Sequence, residues 1–244
     1  MKKFLVLIPA RFGSTRFPGK PLAKINNKPM IQYVVENIEK TGFDYAVVTD
    51  NNEIESFINS INGSVVRVND DVTTGSERIS LAYSRFFKSG NYDFIINVQG
   101  DEPLLVADEV KDIADFHEKF PFDICTAVKK RRSSEEEFKN PNLVKCIFSE
   151  VTNECLYFSR ESIPYNRDQK EHDWFHHIGI YSYKTKALEK FVSYPESKLE
   201  DCEKLEQLRA LENGLKIGAK LTTINLIGVD TPEDIQKIEG VLSE

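Results

Sequence analysis

Apolar and polar positions along this chain follow two periods that change places at short intervals. Residues 3–9, KFLVLIP, form an apolar run too short for a helix and read as a strand buried on both faces. Residues 28–42 place Met30, Val34 and Ile38 at helical spacing, with Gly42 as the stop. Strand patterns at 44–50, 64–68 and 93–99 then alternate with helical patterns at 53–62 and 77–87. This β-α-β-α-β-α-β order predicts parallel strands joined by right-handed crossovers, with ligands at the carboxyl ends of the strands.

After about residue 140 the pattern changes. Residues 143–148 and 155–160 flank a polar hexapeptide and predict a hairpin. Another strand is expected at 175–183 and one charged helix over 200–214, with Leu205, Leu208 and Leu211 inward and Gly214 as its stop. Residues 224–230 return to a core strand. Thr231, Pro232 and Asp234 then suit the cap, first and third positions of a last helix. The chain thus reads as one domain, 1–244, with a core of about 1–140 and 215–244 and an inserted subdomain of about 141–214.

Composition narrows the class. The 244 residues are 40% hydrophobic and 29% charged, which suits a packed globular domain. A net charge of −7 argues against a nucleic-acid partner, although it leaves room for a local cationic cleft. The apolar N-terminal run, Phe4 to Ile8, is too short for a signal core, and no stretch reaches the length of a membrane span. Cys125, Cys146, Cys155 and Cys202 lack metal or CxxC spacing and read as reduced thiols of a cytoplasmic protein.

Candidate chemistry begins in the stretch LIPARFGSTRFPGKPL, residues 7–22, where Arg11, Arg16 and Lys20 crowd among glycines and prolines. It lacks G-x-G-x-x-G. It also misses the Walker pattern, with five residues between Gly13 and Gly19 and Pro21 after Lys20. Glycines nevertheless let backbone amides approach an anion, and guanidinium forks suit phosphate oxygens. On the residues alone the loop fits either a triphosphate cradle or a solvated basic turn. Asp101 follows INVQG at a strand end, with Glu102 beside it, and Asp230 follows INLIGV in the same kind of position. The pair suits a hard cation, and equally a turn residue and a cap. TTGSER, 73–78, opens a helix, where Gly75, Ser76 and Arg78 fit either a ligand or a simple cap. Of the adjacent His176 and His177, strand alternation turns only one inward. His117 and His172 are expected on the surface.

The stretch IPARFGSTRFPGKPL resembles the signature loop of the CMP-sugar synthetases, in particular their 3-deoxy-manno-octulosonate (Kdo) cytidylyltransferases. INVQGDEPLL, NPNLVK, YFSRESIPYNRD, HHIGIYSY, LEQLRALENG and GVDTPED resemble further family segments, in the family's order. The resemblance implies an α/β, Rossmann-like (GT-A-like) three-layer nucleotidyltransferase fold with a mixed, mainly parallel sheet, and a homodimer. It implies transfer of CMP from CTP to an acidic eight-carbon sugar for lipopolysaccharide synthesis, with Mg²⁺ on Asp101 and Asp230. Lys20, Arg16, Asp101 and Asp230 would be the catalytic groups. Arg11, Gly13, Ser14, Arg16, Lys20, Gly75, Ser76, Arg78 and Gln99 would bind the nucleotide. Arg160, His177, Tyr181, Glu206 and Gln207 would face the sugar. Tyr165 and Asn166 depart from relatives in the sugar-flanking loop, which leaves Kdo and its 8-amino form both open.

Overall fold

A computed structural model describes residues 2–13, 17–224, 228–229 and 231–242. Its contacts divide the chain into two compact units, residues 1–112 with 225–244, and residues 113–224.

The first unit opens with β1 (Phe4–Ala10), followed by a two-rung ribbon of β2 (Lys24–Ile25) and β3 (Lys28–Pro29). Then come α1 (Met30–Glu39), β4 (Asp44–Thr49), α2 (Asn52–Ser60), β5 (Val65–Arg67), α3 (Gly75–Ala82) and β6 (Phe94–Asn97). The strands lie side by side in the order β5-β4-β1-β6, all parallel. Leu5, Val6, Leu7 and Ile8 are each fully buried, so both faces of β1 are covered. The α1 stripe of Met30, Ile31, Val34, Val35 and Ile38 is buried as its spacing predicts. Asn51 caps α2 by accepting from the N–H groups of Glu53 and Ile54 at 2.8 and 3.1 Å. Parallel pairing puts the carboxyl ends of β1, β4 and β6 on one edge, and the segments that carry Arg11, Asp50 and Asp101 leave from there.

α4 (Ala107–Lys119) begins in the first unit and continues into the second. The second unit adds β7 (Ile124–Arg132), β8 (Lys145–Ser149), β9 (Glu154–Ser159), β10 (Asp173–Lys184), α5 (Thr185–Ser193), α6 (Lys198–Glu203), α7 (Gln207–Glu212) and β11 (Ile217–Thr222). Its strand order is β10-β7-β11-β9-β8, and β8 pairs again with β10, closing the five strands on one another. β7 and β10 run antiparallel, β7 and β11 parallel. This unit contains the 141–214 segment and also takes in β7 and β11, because β7 pairs with β10 and β11, and β11 pairs with β9 of the hairpin. A register shift between Ile178 and Ser182 re-aims the side chains of β10 around Tyr181.

The expected helix over 200–214 is two helices. Lys204 adopts φ +51° and breaks the run between α6 and α7. His117 is not at the surface. It is 1% exposed, with Nδ1 2.8 Å from Ser182 Oγ and Nε2 3.1 Å from Phe122 O. All four cysteines are free.

The chain then returns to the first unit with α8 (Pro232–Leu242), whose first residue is the expected proline. Thr231 N–H donates to Asp234 Oδ2 at 3.0 Å, closing the start of α8 as its sequence predicts. Ile238 packs with Ile25, Met30 and Val229. Among the described residues no helix is long and apolar enough to cross a membrane. The strand expected at 224–230 falls largely outside the described residues, as do Ser14, Arg16 and Asp230.

Candidate active site

The loop after β1 is closed by its own backbone. Gly19 N–H donates to Phe12 O at 2.9 Å, and Gly19 reaches that position at φ +70°, where a glycine is favoured. The closure starts a single 3-10 turn, Lys20–Leu22, and turns the Lys20 side chain inward, leaving it 13% exposed. Lys20 Nζ donates to Asp101 Oδ2 at 2.5 Å and to Val229 O at 2.7 Å. Val229 N–H in turn donates to Asp101 O at 3.2 Å. Three segments far apart in sequence therefore meet at one ammonium group, and Asp230 is the next residue in the third of them.

The donor set around Asp101 is chemically suited to a hard cation. An ammonium already sits on its carboxylate and on a backbone carbonyl, both oxygen ligands of the kind Mg²⁺ takes. Among the described residues no group of three or more acidic, histidine or cysteine side chains gathers around a cation position. A site with few carboxylates is what Mg²⁺ uses when water and substrate phosphates complete its shell. Glu102, named in the sequence without a role, has Oε2 buried and without a hydrogen-bond partner. Burial and the neighbouring Asp101 charge push its carboxyl up to about 8.

The expected nucleotide segments converge on the same edge. A Cβ placed on Gly75 would touch Pro9 Cγ at 3.4 Å and approach Gln99 Oε1 at 3.9 Å, so the start of α3, the end of β1 and Gln99 adjoin. Arg11 NH1 donates to Thr73 O at 3.1 Å and ties the loop to the turn before α3. Gly13 is exposed, and among the described residues nothing lies within 4 Å of where a Cβ on it would stand. Thr74, not Ser76, caps α3, in a reciprocal capping box with Glu77. Ser76 is buried, 1% exposed.

Arg78, expected at the nucleotide, is engaged here with the protein itself. It is 2% exposed, donates from NH1 to Val68 O at 2.7 Å, and lies 3.1 Å from Asp50 Oδ2 through NH2. It therefore fastens the ends of β5 and β4 to α3. Burial lowers its pKa, and the Asp50 carboxylate works against that shift.

The expected sugar residues all lie in the second unit. His177 is 8% exposed, with Nε2 3.0 Å from Thr126 Oγ1. Burial holds its pKa down at about 3, so it is a neutral imidazole at working pH. His176, on the opposite face of the pleat, does not turn out to solvent as alternation would have it: its Nδ1 is buried, its ring lies 5.9 Å from that of Trp174, and burial lowers its pKa to about 4. The rings of His177 and Tyr181 are 5.4 Å apart. Gln207 is 6% exposed, and its Nε2 is buried without a hydrogen-bond partner. Arg160 spends Nε on Glu203 O at 2.8 Å and NH1 on Pro141 O at 3.0 Å, so its fork braces the 140s loop and the end of α6. Glu206 Oε1 accepts from Arg209 NH2 at 3.2 Å.

A cationic loop after β1, a capped helix beside Gln99 and a lysine on a strand-end carboxylate meet at the carboxyl ends of parallel strands, where α/β sheets bind ligands. The sequence pattern of the cytidylyltransferase family matches residues 5–217 of this chain. The chain belongs to the cytidylyltransferase family. Among the family's curated members it is 42% identical to the 3-deoxy-manno-octulosonate cytidylyltransferase of Parabacteroides distasonis, over 100% of this chain and 99% of that one. It is 41% identical to the 8-amino-3,8-dideoxy-manno-octulosonate cytidylyltransferase of Shewanella halifaxensis, over 98% of each. Among solved structures, this cytidylyltransferase superposes on a CMP:2-keto-3-deoxy-manno-octonic acid synthetase complexed with CTP with a TM-score of 0.91, at 31% identity and 99% coverage of both chains. A 4-diphosphocytidyl-2C-methyl-D-erythritol synthase from Anaerococcus prevotii, TM-score 0.65 at 14% identity and covering 100% and 99%, shares the fold alone.

Proposed function

We propose that this cytidylyltransferase activates Kdo: CTP and 3-deoxy-D-manno-octulosonate give CMP-Kdo and diphosphate, in a cytoplasmic homodimer serving lipopolysaccharide synthesis. The observation that carries the reading is the Lys20–Asp101 pair at the strand edge, in a chain matched end to end by Kdo cytidylyltransferases. The oxygen of the sugar's anomeric hydroxyl attacks the α-phosphorus of CTP, and the hydroxyl's proton is lost to solvent. The bond from that phosphorus to the β-phosphate bridging oxygen breaks, and diphosphate leaves with the negative charge. Lys20, Arg11 and Arg16 would draw that charge, and a fixed ammonium does so without reorganising. Gly75, Ser76 and Gln99 would seat the cytidine, and Gly13 and Ser14 would let the loop backbone approach the phosphates.

Asp101 and Asp230 would hold Mg²⁺. When bound, the ion neutralises charge on the α-phosphate oxygens and makes the attacking hydroxyl easier to ionise. In the second unit, Tyr181, Glu206 and Gln207 would bind the sugar hydroxyls, with His177 as a neutral hydrogen-bonding group. Arg160 would act there by bracing the wall rather than by gripping the sugar.

A second reading has its own support. The 8-amino-Kdo cytidylyltransferases match this chain nearly as well as the Kdo enzymes do. The experiment is diphosphate release from CTP and Mg²⁺ with Kdo, 8-amino-Kdo and a sialic acid in parallel. Release with Kdo supports the first reading, release with 8-amino-Kdo alone selects the second, and nucleotide binding without release for any sugar refutes both.

A further inference from the structure

A carboxylate that grips an anionic sugar carries an electrostatic cost, and Glu206 is such a carboxylate in the function proposed above. The neighbouring side chains show how it is met. Arg209, one turn on in α7, is 4% exposed. Its NH2 donates to Glu206 Oε1 at 3.2 Å, its NH1 donates to Tyr194 O at 3.2 Å, and its Nε lies 3.1 Å from Glu200 Oε2. Glu200 is itself held by the capping box it makes with Ser197 at the start of α6. The guanidinium lies over the Phe191 ring of α5, 4.8 Å from its centroid. Phe191 stacks on Tyr183, which adjoins Tyr181, which adjoins His177, at centroid distances of 6.0, 5.9 and 5.4 Å. One buried cation is thus fixed from three helices and touches both carboxylates. It also connects through rings to the β10 residues on the expected sugar side.

We infer that Arg209 is the positioning residue of the sugar half: it fixes the Glu206 carboxylate and offsets its charge, so that an acidic sugar is held without repulsion. The inference rests on the proposed assignment of Glu206 to the sugar. Without the guanidinium, Glu200 and Glu206 lose the cation they share. Two carboxylates on adjoining helices then repel each other and an anionic ligand. Arg209 touches no reacting atom in this account and acts through Glu206.

The test is a double-mutant cycle read on the sugar KM and the CTP KM separately. Arg209→Met is expected to raise the sugar KM about 10- to 100-fold, the range for losing a hydrogen bond to a charged group. The CTP KM should stay within about two-fold, and Arg209→Lys should recover part of the loss. In a Glu206→Ala background, Arg209→Met should add little more, because the group it acts through is gone. Equal fold-changes in both backgrounds, or a CTP KM that rises in step, would overturn the inference and mark Arg209 as structural. A Glu206→Ala variant with unchanged sugar KM would instead remove Glu206 from the sugar site, which strikes the functional assignment beneath. Should Arg209→Met fail to fold, the cycle runs with Arg209→Lys, where the same non-additivity is expected.

Discussion

Lys20 Nζ and Asp101 Oδ2 stand 2.5 Å apart across 81 residues of sequence, with Val229 O as the second acceptor of the same ammonium. The pair neutralises a strand-end carboxylate and fixes the lysine ammonium beside it. Lys20→Met should lower kcat/KM for CTP by about 10²–10³-fold, the scale for removing one fixed electrostatic donor. Steady-state kinetics in varied CTP check this. A loss of less than ten-fold would mean that Lys20 serves the fold and not the phosphates.

Arg78 should matter first for stability. Its guanidinium joins α3 to Val68 O and Asp50 while 2% exposed, and truncation strands Asp50 and an unpaired carbonyl. Arg78→Ala should cost about 2 kcal/mol, as for leaving a buried carbonyl without its donor. Urea unfolding measures it. An unchanged midpoint together with a raised CTP KM would restore Arg78 to a direct nucleotide contact.

Acid should destabilise this protein through its buried histidines. Burial lowers His117 and His176 to about 4 and His177 to about 3, against an ordinary value of 6.5. Between those limits the unfolded chain binds more protons than the folded one, so stability is full above about pH 6.5 and falls as pH drops below it. At pH 5 the loss should be about 2 kcal/mol per histidine, because a proton that only the unfolded chain takes up is worth about 1.4 kcal/mol for every pH step below its ordinary pKa. Urea midpoints at pH 7 and pH 5 test this, and His117→Gln should show the shallower dependence. An equally steep dependence in that variant would contradict the assignment.

The first half of the fold was legible because each element there carries one signal: a short apolar run such as 4–10, or a stripe such as Met30, Val34 and Ile38. β7 was not, because it begins as ICTAV and ends in four cations, so no single period describes it. The break at Lys204 was invisible, since neither glycine nor proline marks it. Lys20 and Asp101 each follow a strand in the sequence, and the structure joins them through a contact that no pattern in the sequence pairs. The burial of His117 and the commitments of Arg78 and Arg160 could not be read, because they depend on which carbonyls the packing leaves nearby. Glu102 carried a signal in its position beside Asp101, but its buried, unpartnered oxygen is a tertiary fact.

The central claim is that chemistry is organised at Asp101. Diphosphate release by Asp101→Asn, with CTP, Mg²⁺ and Kdo, tests it most directly, alongside a thermal melt of the same variant. The account predicts a melt close to that of the wild type and turnover lowered by at least about 10²-fold. Turnover at the wild-type rate in the folded variant would contradict it.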